Sequence, residues 1–234
     1  MRLISGADGC KEGWVVVTED LDTGEIAWEL CPTAHDLIYC RPLRLMTAVD
    51  IPIGLPDTGA RSCDHEARRL LGVGRASSVF PAPVRLVLAA ATYEEACGIR
   101  LSIEQKKMSQ QAWAIVPKVR DIDRVLRDNP QVQDRVREVH PEVSFYFLAG
   151  EQPMKYSKKK RAGREARKQL LAPLYGAYLE RALADRRALA SSTDDILDAF
   201  VALWTARRII NKQAQVLPAI PARDAVGLQM EIVA

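Results

Sequence analysis

Leu3-Ile4-Ser5-Gly6-Ala7-Asp8-Gly9, followed by Gly13 and Trp14-Val15-Val16-Val17, opens the chain with two apolar runs around a cluster of glycines. β-Branched and aromatic residues cluster on either side of a glycine-marked turn, so 2–8 and 13–18 read as two short strands or as one strand and its hairpin partner. The first run closes on a carboxylate. A carboxylate at a buried strand end is costly unless it is paired or metal-bound, so something must neutralise Asp8 unless it serves as a turn residue bonded to its own backbone. The same arrangement recurs at Leu45-Met46-Thr47-Ala48-Val49-Asp50. A third acidic context comes late in the chain. Asp195 and Asp198 lie three apart, hence on one side of an apolar helix spanning 194–210.

The remaining elements follow from local signals. Asp22-Thr23-Gly24-Glu25 marks a turn, Ile26 to Leu30 alternates as a third strand, and Ala34 to Tyr39 suggests a short helix. Leu43 to Val49 is a continuous apolar run, as in a strand buried on both faces. Pro52-Ile53-Gly54-Leu55-Pro56 must leave the sheet. Residues 61–72, 92–98, 102–128 and 131–137 carry helical spacing, which makes about 57–137 a largely helical insertion between two parts of one sheet. A short strand is expected over 137–143, with a helix starting near Ser144 and another over 163–187. Ser191-Ser192-Thr193 supplies N-caps for the late helix. Residues 227–233 alternate like an edge strand. The expected fold class is α/β: one domain over 1–234, with a mixed sheet flanked by helices and a helical insertion.

With 48% hydrophobic residues in 234, the chain can bury a core without disulfide staples. No run of 18 apolar residues exists, so a membrane span is not expected. Met1-Arg2 leads into a short core strand with no small-residue cleavage site, unlike a signal peptide. The five cysteines are odd in number and scattered, which favours a reduced, cytoplasmic setting. The oligomeric state is left open by the sequence, a homodimer included.

Net charge is only +3, yet Lys155 to Lys168 holds eight basic residues and one acid. Such a segment can track phosphates, with Lys158, Lys159 and Lys160 as candidate contacts; a solvated loop is the plainer alternative. Arg61, Arg68, Lys118 and Arg120 in the insertion are candidate phosphate clamps, with ordinary salt-bridge roles as their alternative. Glu138, His140 and Glu142 alternate and are expected on one face near the aspartates, His140 as a proton shuttle or a structural histidine. Ser77-Ser78-Val79-Phe80-Pro81-Ala82-Pro83 is apolar enough to form a lid.

Taken singly, Asp50 can cap the segment that follows it, and Asp195 and Asp198 can complement the helix N-terminal dipole; if Asp8 and Asp50 occupy neighbouring strands, Asp195 and Asp198 complete a four-carboxylate site suited to Mg²⁺ or Mn²⁺. Two such ions about 3.5–4 Å apart serve phosphodiester hydrolysis. The Gly-Ala-Asp-Gly strand, the strand ending at Asp50, and Asp195-Ile196-Leu197-Asp198-Ala199 resemble the RNase H-like superfamily, RuvC-type resolvases in particular. Val49-Asp50-Ile51-Pro52-Ile53-Gly54-Leu55-Pro56, Arg61-x-Cys63-Asp64-x-Glu66-Ala67-Arg68, residues 77–83 and 137–145 are similar to a bacterial family described as predicted nucleases of RNase H fold. The resemblance implies that Asp8 bridges the metals, Asp50 is the second-strand ligand, and Asp195 and Asp198 are the helix ligands. RuvC-type enzymes commonly carry Glu where this chain has Asp50.

The function so implied is a metal-dependent nuclease acting on DNA or RNA, with Asp8, Asp50, Asp195, Asp198, His140 and Glu142 as catalytic residues. Two alternatives remain: a phosphodiesterase for a small nucleotide-like substrate, and a non-catalytic binding protein on the same fold. A sugar-kinase or actin-like relative lacks support, because no second Gly-rich phosphate loop is present.

Overall fold

The computed structural model describes residues 1–234. Three strands open the chain: β1 (Leu3–Cys10), β2 (Gly13–Asp20) and β3 (Ile26–Cys31). A short helix, α1 (Ala34–Tyr39), follows behind a capping box in which Thr33 and Asp36 satisfy each other's backbone N–H. Next comes β4 (Met46–Asp50). It ends where Pro52 removes a ladder donor.

Between β4 and the next strand lie α2 (Ser62–Arg75), α3 (Tyr93–Glu104) and α4 (Gln110–Asp128), with short 3₁₀ turns among them. The helical spacing of 102–128 is thus divided: α3 ends at Glu104, and Ser109 caps a new helix. Helical spacing at 131–137 yields only a 3₁₀ turn behind Asn129-Pro130, then β5 (Val136–Glu138). β5 is shorter than expected. Pro141, whose missing N–H is harmless in a first turn, starts α5 (Pro141–Leu148) earlier than Ser144. The chain closes with α6 (Arg161–Ala184), α7 (Thr193–Ile210), β6 (Val216–Arg223) and β7 (Gln229–Val233).

The sheet order is β3-β2-β1-β4-β5. β1 runs antiparallel to β2, and β2 to β3, whereas β4 lies parallel to β1 and β5 parallel to β4. The class is therefore α/β, a mixed five-stranded sheet flanked by helices. β6 and β7 form a separate antiparallel ribbon, tied to the main sheet by the Val139–Val233 bridge beyond β5. β6 goes unforeseen because Pro218 and Pro221 argue against a strand; a two-stranded ribbon leaves them an edge that needs no donor.

Each face of the sheet carries its own core. Ile4, Val15, Val17, Met46 and Ala48 pack with α6 and α7; Ala7, Trp14, Val16 and Val49 pack with α1 and α4. β1 is central, so both its faces are covered and its run reads as continuously apolar. Gly6 decides how near α7 can come. A Cβ there would fall onto the α7 backbone at Leu203 N and Ala199 O.

Gly6→Val should therefore push α7 away from β1, since overpacking against backbone costs about 1–3 kcal/mol or more. A loss of at least several degrees in Tm is expected, at about 2–4 °C per kcal/mol for a chain of this size. An unchanged melting curve would show that the contact is not tight.

Candidate metal centre

β1 and β4 are parallel and in register at Asp8↔Asp50, so both carboxylates leave the sheet at one end and on one face. That face is the one under α7. Asp198 sits one turn into α7 and is 1% exposed. One carboxylate oxygen from each of Asp8, Asp50 and Asp198 lies within 4.8 Å of the others. Asp8 Oδ1 accepts from Gly9 N at 2.8 Å. Asp198 Oδ2 accepts from Lys158 Nζ at 2.5 Å, whereas Asp198 Oδ1 is buried with no partner.

Burial, and then the Asp50 and Asp198 charges, hold the Asp8 carboxyl well above the usual carboxylate range. Burial lifts Asp50 to about 6, against the opposing pull of His140 and Lys158. Asp198 is likewise raised by burial, with Lys158 acting downward. Three acids face one ammonium here. A dication offers the missing charge and an acceptor for the orphaned Asp198 oxygen, and an all-oxygen donor set suits a hard ion. The three residues fit such an ion.

Asp195 is placed differently. Its carboxylate accepts from Ser192 N at 2.8 Å while Ser192 Oγ accepts from Asp195 N at 3.2 Å, a capping box at the start of α7. The expected set of four carboxylates is thus three that converge and one engaged at the helix end.

His140 is the N-cap residue of α5, beside Asp50, and its Nδ1 is buried without a partner. Glu142, in the first turn of α5, is buried and pairs with Arg167, itself 0% exposed. Glu142 therefore braces the centre from behind. Glu138 does not share a face with these residues. It pairs in register with Val49 and points to the opposite core, where Arg61 grips it with two nitrogens, at 2.6 and 2.7 Å.

The expected phosphate clamps are mostly committed elsewhere. Arg61 is buried between Glu138 and Asp64 and also donates to the Ile53 and Gly54 carbonyls. Arg68 donates to the Val79 carbonyl and Arg120 to those of Leu88 and Ala90. Residues 77–83 are held in place as well: Val79 and Ala82 are buried and Ala82 N donates to Asp64, leaving Phe80 outermost. Lys118 is more available. Half-buried, its stem lies against Gly9 on the face of β1 opposite Asp8, and its ammonium sits 5.4 Å from the Trp14 ring centroid. Lys159 and Lys160 are exposed, whereas Lys158 turns inward.

The residue that sequence reasoning missed is Arg167. Its signal is the four-residue repeat of buried positions along α6, Gly163, Arg167, Leu171, Tyr175 and Leu179, which places one arginine of the basic run on the inner face.

A family model described as "Protein of unknown function (DUF429)" matches residues 6–223. The chain belongs to the DUF429 family. The matched region contains Asp8, Asp50, His140, Lys158, Arg167 and Asp198. No curated protein and no solved structure matches this DUF429 chain. No helix is long and apolar enough to cross a membrane.

The raised acids carry a signed pH dependence. A carboxyl whose folded pKa lies above its unfolded value binds more protons when folded. Metal-free stability therefore falls as pH rises from the unfolded carboxylate range, near ~4, through about 6 for Asp50. Asp8→Asn removes one of the repelling charges and keeps the shape. In chelator at pH 7 it should melt about 2–4 °C above the parent protein, and the gain should vanish near pH ~4. A lower Tm at pH 7 would mean that the Asp8 charge is a net stabiliser.

Proposed function

We propose that the chain is a divalent-metal-dependent nuclease, hydrolysing phosphodiester bonds in DNA or RNA. One observation carries the reading. Asp8 and Asp50, paired on adjacent parallel strands, converge with a buried helix carboxylate that has an unsatisfied oxygen. Such a set is expensive to keep without a cation. Strand-end aspartates with a helix aspartate across them also agree with the RNase H-like resemblance of the sequence.

When bound, Mg²⁺ or Mn²⁺ supplies Lewis-acid polarisation of the phosphoryl group and acidifies bound water. Asp8, Asp50 and Asp198 would hold the cation. Asp8 is further oriented by Gly9 N, and Asp198 by the rigid first turns of α7. His140 Nδ1, buried and uncommitted beside Asp50, is placed to carry a proton to or from a reacting oxygen. Arg167 and Glu142, buried and paired with each other, act on Asp198 through their charges.

The polymer substrate is supported by exposed cations around the centre. Lys159 and Lys160, both exposed, directly follow the inward-turned Lys158 in sequence. Each phosphate neutralised adds to the salt dependence of binding.

Cleavage of DNA or RNA should require Mg²⁺ or Mn²⁺ and should be lost in Asp8→Asn, Asp50→Asn and Asp198→Asn. The parent protein should gain Tm with millimolar metal by mass action, and Asp8→Asn should not. Equal Tm with and without metal would overturn the metal reading.

Replacing Lys159 and Lys160 together by alanine should flatten the salt slope of duplex binding by about 1.8, at ~0.9 per contact. The same slope in both proteins, with turnover confined to small phosphodiesters, would move the substrate to the nucleotide class.

A further inference from the structure

The most telling group in the centre is a lysine. Lys158 Nζ lies 2.5 Å from Asp198 Oδ2, and its charge acts also on Asp8 and Asp50. Its neighbours are turned outward.

The backbone that delivers Lys158 is fixed. Gly163 lets the Ser157 carbonyl press onto the start of α6, where a Cβ would collide with it. Arg167 donates to Tyr156 O at 3.1 Å and to Gly163 O at 2.9 Å, while Arg164 donates to Lys159 O at 3.0 Å. Ser157 O accepts from Lys160 N at 3.0 Å. The segment is thus a mount, and only the four-carbon stem of Lys158 is free to swing. That side chain remains 38% exposed although its partner carboxylate is 1% exposed. The Lys158 side chain therefore runs from the buried carboxylate to the solvent-facing side of the site.

We propose that Lys158 is the resident counter-ion of the centre: its ammonium and a divalent cation compete for Asp198, and metal binding releases Lys158 toward the mouth of the site, where substrate phosphate arrives. This rests on the metal-centre reading of Asp8, Asp50 and Asp198. Two unlike cations cannot both lie against one carboxylate in a buried site without strong repulsion. In the metal-free protein, Lys158 lessens the mutual repulsion of three acids. Once released, a lysine is a suitable point-charge partner for phosphate. Lys158 is thus a positioning residue before metal binds and a substrate contact afterward.

Two measurements test the exchange. Lys158→Gln keeps length and polarity and removes the competing charge. By calorimetry it should bind Mn²⁺ about tenfold more tightly or better than the parent, and its metal-free Tm should fall. Lys158→Arg should keep weak binding. In the unaltered protein, amine acylation followed by mass spectrometry should label Lys158 slowly in chelator and several-fold faster in saturating Mn²⁺, with Lys159 and Lys160 as internal references.

Equal Mn²⁺ affinity in parent and Lys158→Gln, or labelling of Lys158 that metal leaves unchanged or slows, would overturn the exchange while leaving the metal centre standing. Mn²⁺ binding by Lys158→Gln alone would support the exchange in its strongest form. Binding by neither protein would overturn the metal reading and the exchange with it. The acylation arm needs no substitution, so it decides the question even if Lys158→Gln fails to fold.

Discussion

The structure depends on the contact between Gly6 and the backbone of α7. Helices usually rest on a sheet through side chains, with several ångströms of packing between the two backbones. At Gly6 that layer is missing, and Ala199 and Ala202 on the facing side of α7 keep it thin. The consequence is chemical. Asp8 is two residues beyond Gly6 on the same face of β1, and Asp198 precedes Ala199. Bringing the two backbones together brings the two carboxylates together. Gly6 therefore sets the size of the cluster from a place with no charge at all.

Around this contact the chain wires its buried charges in separate circuits. Under α7, Arg167 satisfies one oxygen of Glu142 and pins the segment that carries Lys158. On the other side of the sheet, Arg61 ties Asp64 of α2 to Glu138 of β5. Desolvation pushes the Glu138 carboxyl up to about 7 in spite of Arg61. That direction marks the low dielectric of the site and the loss a lone Glu138 would suffer. Arg61, Lys158 and Arg167, three of the basic residues that suggest phosphate binding in the sequence, serve this internal wiring. A modest net charge is compatible with that use.

How much of this is legible in the sequence differs by element. β1, β2, β4, α1 and α7 are legible because strong local signals coincide: apolar runs, Pro52 after Asp50, Thr33 with Asp36, and the Ser192 cap. So is the meeting of Asp8 with Asp50, since both close apolar strands. Asp195 is harder. An acid three residues from a helix cap has two uses, and Ser192-x-x-Asp195 already spells one of them. β6 hides behind its prolines, and α5 starts early because Pro141 favours a first turn. The inward turn of Lys158 depends on Gly163 and Arg167 acting on a neighbouring loop, a tertiary effect that a run of basic letters conceals.

The Arg61–Asp64–Glu138 cluster bears on how such a chain can change over time. Arg61 is bound to Glu138 across 77 positions of sequence and to Asp64 across three. Loss of any one member leaves an unpaired charge where water cannot reach, at a cost of about 3–5 kcal/mol. Replacement of all three by apolar residues would strand the Ile53 and Ala82 N–H groups and the Ile53 and Gly54 carbonyls, which these side chains now satisfy. Single and concerted replacements are therefore both penalised. The helical insertion and the sheet are fastened to each other there by three side chains, two near the start of the insertion and one on the strand after it, none of which can change without cost to the backbone that the others hold.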